Sequence, residues 1–342
     1  MRDVKEWHES GIEPIAEGVF RITLPLPHDS LRAVNVYALI DEQGIVLIDA
    51  GWAIREAQDA LERSLGDVGH SLSDVTRILV THVHRDHLSL ALTLRRLYGA
   101  QIALGIGEQP SLEELRAGRH DGPFRLLGRW GAAELAAEMQ PGLGRGPEAE
   151  SYDPPDLWID GPATLTVAGR RLLAMPTPGH TNGHVVFADL AEGLLFAGDH
   201  VLPRITPSIG YEPVRQRQPL MAYLASLQQV LDLPDLRLLP AHGPVAASSH
   251  RRAAELVAHH EHRLLETLAA MGDGRSTVLQ VASRLGWTKS DRDFGDLDLL
   301  NRALAVSETA AHLDLLVARG LLDQRTVDGV DQYGDPAAIP RS

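Results

Sequence analysis

Apolar positions along the chain fall into two periods. Short β-branched and apolar runs at 19–24, 34–40 and 45–49, each bounded by Pro or Gly, predict strands. After the turn "DAGW" at 49–52, Ile54, Ala57, Leu61 and Leu65 recur at helical spacing and predict a helix over 53–65. "RILV" at 77–80 reads as a further buried strand, 88–99 as a helix stopped by Gly99, and 101–105 as a closing strand. Strands resume at 163–167, 170–175, 184–188 and 194–197, followed by a helix over 219–231 and a short strand at 236–240. Two runs of strands with interspersed helices predict an α/β sandwich with the helices outside.

Two regions depart from this rhythm. Residues 106–150 show helical patterns broken by Gly and Pro, and read as a helical insertion that is either surface decoration or a lid over a site. From 249 the texture is helical. Ala253, Val257, Leu264 and Leu268 mark a long amphipathic helix. Thr277 and Gln280 stand at capping-box spacing before a helix ending at Gly286, and another helix stops at Gly320. Asp328-Gly329 then turns a hairpin. The expected division is 1–248 as one domain and 249–342 as a second, winged-helix-like one.

Composition narrows the function classes. No apolar run approaches the ~18–20 residues of a membrane span. The N-terminal residues lack the apolar core of a secretory signal, so a cytoplasmic protein is expected. With no cysteine, any metal must be held by nitrogen and oxygen. The net charge of −14 argues against general nucleic-acid affinity. Residues 251–342 are themselves acidic, which favours a packing or homodimer role for the C-terminal module over DNA reading.

"THVHRDH" at 81–87 carries the chemistry. Alternation along a strand lets His82 and His84 share a side, with Asp86 and His87 at the start of the next helix. Imidazoles and carboxylates in this mixture suit zinc, iron or manganese. More potential ligands follow strands: His180 in "TPGHTNGH", Asp199 in "LLFAGDH" and His242 in "LLPAHGP".

The set H-x-H-x-D-H, then His, Asp and His in that order, resembles the metallo-β-lactamase fold superfamily over roughly residues 18–245. The resemblance implies an αββα sandwich, here with the C-terminal winged-helix-like domain, and a site for two divalent ions at one edge of its sheets. Zinc is the first choice of metal. It places His82, His84 and His180 on the first ion, Asp86, His87 and His242 on the second, and Asp199 between them. Asp49 matches an aspartate that orients a ligand from behind, and His184 a similar supporting residue. His200 is read as a pocket-edge or supporting residue, and His259, His260 and His262 as helix-face residues. The chain departs from many relatives in having Leu88-Ser89 where they carry Gly-Gly.

Two ions sharing a water lower its pKa and give a hydroxide at neutral pH. Asp199 would anchor the ions and Asp86 would take or relay the proton. Tyr211 is a candidate oxyanion donor and Arg204 a candidate substrate contact. "TPGHTNGH" is similar to glyoxalase II-like thioesterases and lactonases, whereas the C-terminal part looks like a lactamase-like group that includes an endoribonuclease. The expected substrate is a small thioester, ester or lactone, a CoA-like thioester among them. The alternative is an RNA or phosphodiester hydrolase using a groove lined by Arg204, Arg215 and Arg217. A single-iron dioxygenase of the same fold shares only the first ligand set.

Overall fold

The computed structural model describes residues 6–27, 31–119, 122–139, 152–287 and 292–336. A seven-stranded sheet runs in sequence order: β1 (Gly11–Ala16), β2 (Val19–Pro25), β3 (Ala33–Asp41), β4 (Gly44–Ile48), β5 (Val75–Leu79), β6 (Gln101–Gly105) and β7 (Leu157–Ile159). It is antiparallel from β1 to β4 and parallel from β4 to β7. The second sheet has five strands: β8 (Ala163–Val167), β9 (Arg170–Pro176), β10 (Val185–Asp189), β11 (Leu194–Gly198) and β12 (Arg237–Pro240). Only β11 and β12 pair in parallel there.

Three apolar layers hold the sheets and helices together. Val19, Leu39, Ile48, Leu172, Phe187 and Phe196 lie between the two sheets. On the outer face of the first sheet, Ile22, Leu47 and Ile78 meet Leu61 of α1 (Arg55–Gly66) and Leu94 of α2 (Arg85–Tyr98). On the outer face of the second, Val186 and Leu238 meet α5 (Pro219–Asp232) and α6 (Ser249–Ala269). The order of layers is the expected αββα.

Strand alternation explains the inter-sheet layer. Successive residues of β3 face opposite sides, so Val36 and Ala38 join the outer layer while Tyr37 and Leu39 join the inner one. A strand buried on both faces reads as a continuous apolar run, which is how 34–40 looks in the sequence.

The insertion forms α3 (Gln109–Arg116) and α4 (Ala133–Met139); within its expected span, residues 120–121 and 140–150 lie outside the described residues. Phe124, Leu127, Trp130, Leu135 and Met139 share one apolar core with α5, α6 and α8 (Leu299–Ala318). The described part is therefore a strut between the sandwich and the C-terminal helices. Leu279 N–H donates to the Trp130 carbonyl at 3.1 Å, and Arg129 pairs with Asp331 at 2.7 Å.

The C-terminal segment adds α7 (Val278–Ala282), capped by Thr277 and Gln280 as their spacing predicts. Beside it lies a small sheet of β13 (Ser276–Thr277), β15 (Val330–Gly334) and β14 (Asp323–Val327). Asp328 and Gly329 turn that hairpin with φ of +49° and +81°, the pair of left-handed positions a two-residue hairpin loop requires. The helix expected to reach Gly286 stops at Ala282, and β1 and β7 were not anticipated.

Candidate metal centre

The potential ligands leave the sheets at one edge. Asp49 follows β4; His82 and His84 follow β5; Asp86 and His87 open α2; His180 lies between β9 and β10; Asp199 follows β11; and His242 follows β12. Main-chain hydrogen bonds tie these exits together across the sandwich. Val185 N–H donates to the Thr81 carbonyl at 2.8 Å, and Ala241 N–H to the Gly198 carbonyl at 3.0 Å.

Three imidazoles form the first group. His82 Nε2 and His84 Nδ1 are 2.9 Å apart, and His180 Nε2 lies 3.3 Å from the former and 3.1 Å from the latter. Each ring's other nitrogen has a partner. His84 Nε2–H donates to the Tyr211 carbonyl at 2.6 Å, and His180 Nδ1–H to the Ser208 carbonyl at 2.7 Å. His82 Nδ1 meets Thr81 Oγ1 at 3.0 Å, whose own hydroxyl is directed to Asp49. These partners leave a lone pair on each inward nitrogen.

Asp86, His87 and His242 form the second group. His242 Nε2 is 3.3 Å from Asp86 Oδ2, and His87 Nε2 is 3.6 Å from the same oxygen. His87 Nδ1–H donates to Asp49 Oδ2 at 2.8 Å, and His242 Nδ1–H to the Ala33 carbonyl at 2.8 Å. Asp199 stands between the groups. Its Oδ2 is 3.6 Å from His180 Nε2, while its Oδ1 is 3.4 Å from His242 Nε2 and 3.7 Å from His87 Nε2.

These residues fit divalent ions on a test independent of any resemblance. Among the described residues, His87 Nε2, His242 Nε2 and Asp199 Oδ1 are buried without a hydrogen-bond partner, yet they converge. Buried polar atoms are ordinarily satisfied, and a cation would satisfy all three together.

Burial, and then the imidazoles around it, holds His82 well below the usual histidine range; burial and His84 do the same to His180. In the second group burial also opposes the charge, but nearby carboxylates outweigh it. Asp86, Asp49 and Asp199 push His87 up to about 10, and Asp199 and Asp86 push His242 up to about 9. Burial would raise Asp86, but His87 and His242 hold it far below the usual carboxylate range.

The remaining expected residues fall in different places. Asp49 and His184 lie directly behind candidate ligands. His184 Nε2 accepts the Asp199 N–H at 3.2 Å, its Nδ1 meets Thr177 Oγ1 at 2.9 Å, and its ring stacks on His82. His200 is buried against Tyr223, one ring removed from the ligands. Tyr211 touches the site through its carbonyl, with its ring packed beside those of His84 and Phe124. Arg204 is exposed on the loop after β11. Arg215 is bound to Asp314 of α8 at 3.1 Å and stacked on Trp130, and with Arg129 and Arg217 it lines a cavity whose wall also holds Asp314 and Asp331. His260 is buried against His312, and His262 is exposed and pairs with Glu266. Ser89, at the departure from Gly-Gly, accepts the Ala53 N–H at 2.7 Å and so steadies the turn that follows Asp49. Thr81 and the carbonyls of Ala33, Ser208 and Tyr211 were missed; of these only Thr81, beside the first histidine, offered a residue to notice.

The comparisons follow this geometry. Residues 29–242 match the family model described as the metallo-beta-lactamase superfamily. A metallo-beta-lactamase family protein from Thermus thermophilus superposes with a TM-score of 0.76 at 30% identity, covering 94% of this chain and 100% of that one. A beta-lactamase domain protein from Burkholderia ambifaria superposes at 0.80 with 26% identity, covering 98% and 96%. Among curated relatives, the "Probable metallo-hydrolase YqjP" of Bacillus subtilis is 26% identical over 88% of this chain and 93% of its own length. The atrochrysone carboxyl ACP thioesterase of Aspergillus fumigatus is 25% identical over 76% of this chain, which spans 52% of that protein. The chain likewise spans 60% of the beta-lactamase-like protein 2 homolog of Drosophila melanogaster, at 27% identity. Family match and fold agree: the chain belongs to the metallo-beta-lactamase superfamily.

Proposed function

We propose that the protein is a dinuclear hydrolase of a small carbonyl substrate, a thioester, ester or lactone. Asp199 carries the two-ion reading, because its two oxygens face two separate groups of imidazole nitrogens. In this reading His82, His84 and His180 hold one ion, Asp86, His87 and His242 the other, and Asp199 spans both. When bound, such ions lower the pKa of a shared water and polarise the substrate oxygen. Zinc suits this donor set best, with iron and manganese next.

The chain's own groups do the rest. Asp49, Thr81 and His184 fix the ligands' orientation, so little rearrangement is required as charge develops. Asp86, itself in the second group and 14% exposed, would relay a proton to solvent or to the leaving group rather than hold it, because His87 and His242 keep its carboxyl far below the usual range. The half-buried ring of Tyr211, backed by Phe124, presents an apolar surface beside His84, appropriate to an acyl chain.

The carbonyl class is supported by the Aspergillus thioesterase relative, by the acidic net charge, and by the engagement of Arg215 with Asp314. The test is ion content together with hydrolysis of a panel: an acyl thioester, a lactone and a bis-phosphodiester. Two ions per chain and fastest turnover of a thioester or lactone are expected. Preference for the phosphodiester would overturn the substrate class. A His82→Ala variant with unchanged ion content and turnover would overturn the site.

A further inference from the structure

Beneath the first ligand group lies a carboxyl pair that the chemistry above does not use. Glu108 and Glu212 are both fully buried. Glu108 stands at the root of the insertion, just before α3, and Glu212 directly follows Tyr211. Glu108 Oε1 accepts from the Thr181 hydroxyl at 2.5 Å. Glu212 accepts the N–H of Asn182 at 2.8 Å and of Gln216 at 3.4 Å.

The donors are placed tellingly. Thr181 and Asn182 directly follow His180, and Glu212 directly follows Tyr211, whose carbonyl orients His84. Two of the three imidazoles of the first group are thus held through residues this pair adjoins. The segments are also pressed together main chain to main chain. A Cβ on Gly183 would lie 2.2 Å from Glu108 N, and one on Gly105 would lie 2.0 Å from the Gly183 carbonyl oxygen, so neither position admits a side chain. The second group has other supports, Asp49 behind His87 and the Ala33 carbonyl behind His242. Burial raises both carboxyls above the ordinary range, and the charge of Glu212 raises Glu108 further.

We propose that Glu108 and Glu212 are positioning residues for the first ligand group, joining the root of the insertion to the loop that carries His180 and to the segment whose Tyr211 carbonyl orients His84. The proposal rests on the two-ion reading, and its test separates the two. Co²⁺ is titrated against a chromophoric chelator, with its absorption spectrum distinguishing the all-histidine position from the carboxylate-containing one. Wild type, Glu108→Ala, Glu108→Gln and Glu212→Ala are compared, with circular dichroism to confirm folding. Glu108→Ala and Glu212→Ala are expected to weaken the first position about 10- to 100-fold, the range for losing a group behind a ligand. The second position should stay within about threefold by the same comparison. Glu108→Gln, whose carbonyl accepts from the same donor, should recover most of the loss. Should Glu108→Ala not fold, Thr181→Val removes that donor while leaving the carboxyl in place, and should weaken the same position. Unchanged first-position affinity, equal weakening of both positions, or no recovery in Glu108→Gln would overturn the proposal. A wild-type chain taking one ion, at the first position, would end the two-ion reading but leave these comparisons decisive. One ion at the second position alone would end both.

Discussion

Asp49 and His87 meet at 2.8 Å, carboxylate oxygen to Nδ1, across the mouth of two adjacent strands. Asp49 reaches this position by leaving β4 with φ at +61°, a left-handed conformation that a short polar side chain tolerates. The same carboxylate accepts the Thr81 N–H at 2.7 Å and the Thr81 hydroxyl, which in turn meets His82 Nδ1. One acid therefore braces an imidazole in each ligand group.

That arrangement makes Asp49→Asn informative. The amide oxygen can keep the Thr81 bonds, but its N–H₂ then faces the N–H of His87, and the ring must turn or change tautomer. Metal affinity should fall by about 10- to 100-fold, with turnover falling alongside it. Competition with a chelator measures this directly. An Asn variant binding its ions as tightly as wild type would show that Asp49 is only a turn residue.

Arg215 and Asp314 provide a second test. Their side chains are 9% and 15% exposed, and Asp314 also accepts from the Tyr333 hydroxyl at 2.9 Å. Removing one partner strands the other charge in a largely dry site. Asp314→Ala should cost about 3 kcal/mol in urea unfolding. Arg215→Ala should likewise reduce stability and leave KM for a small substrate nearly unchanged. A large KM rise without loss of stability would return Arg215 to the substrate site.

The ligand set was legible because its residues are chemically distinctive and follow strands that announce themselves as apolar runs. The candidate ligands His82, His84, Asp86, His87, His180, Asp199 and His242 all follow that pattern, and the structure brings their side chains together. Asp49 stood out for the same reason. What supports them was less visible. Main-chain acceptors such as the carbonyls of Ala33, Ser208 and Tyr211 leave no residue signature, and Glu108 meets Thr181 only through the packing of distant segments. β1 was missed because Glu13 and Pro14 interrupt an exposed edge strand, and β7 because three residues show no period. α2 begins at Arg85, three residues earlier than the apolar pattern suggested, because His84 caps it in an extended conformation with its side chain turned to the other histidines.

Two buried histidines outside the ligand groups predict an acid sensitivity. Burial lowers His200 and His312 to about 4 each. An unfolded histidine titrates near 6.5, so between these values the unfolded chain binds more protons and stability falls as the pH falls. Their contribution is whole above about pH 6.5 and is lost progressively down to about pH 4, by up to about 3 kcal/mol for each ring. Glu108 and Glu212, raised by burial, pull the opposite way, so the informative quantity is a difference. Urea unfolding of metal-free protein at pH 7.5 and pH 5 should show a smaller acid loss in His312→Gln than in wild type. Equal losses would mean that His312 takes up its proton in the folded state at ordinary pH.

The two ligand groups should also differ in how protons compete with an ion. In the first, burial keeps His82 and His180 neutral, so an ion would displace no proton from them at pH 7. In the second, carboxylates hold His87 near 10 and His242 near 9, so both carry protons at pH 7 when no ion is bound. An ion entering there must expel about two protons, because a protonated imidazole has no lone pair to offer. The apparent affinity of the second position should therefore climb from pH 6 to pH 9, while that of the first changes little. Calorimetric titration of metal-free protein in two buffers of different ionisation enthalpy gives the proton count for each binding step. Release confined to one of two steps is the expected result. Equal release from both, or none from either, would mean that the carboxylates around His87 and His242 do not set their charge.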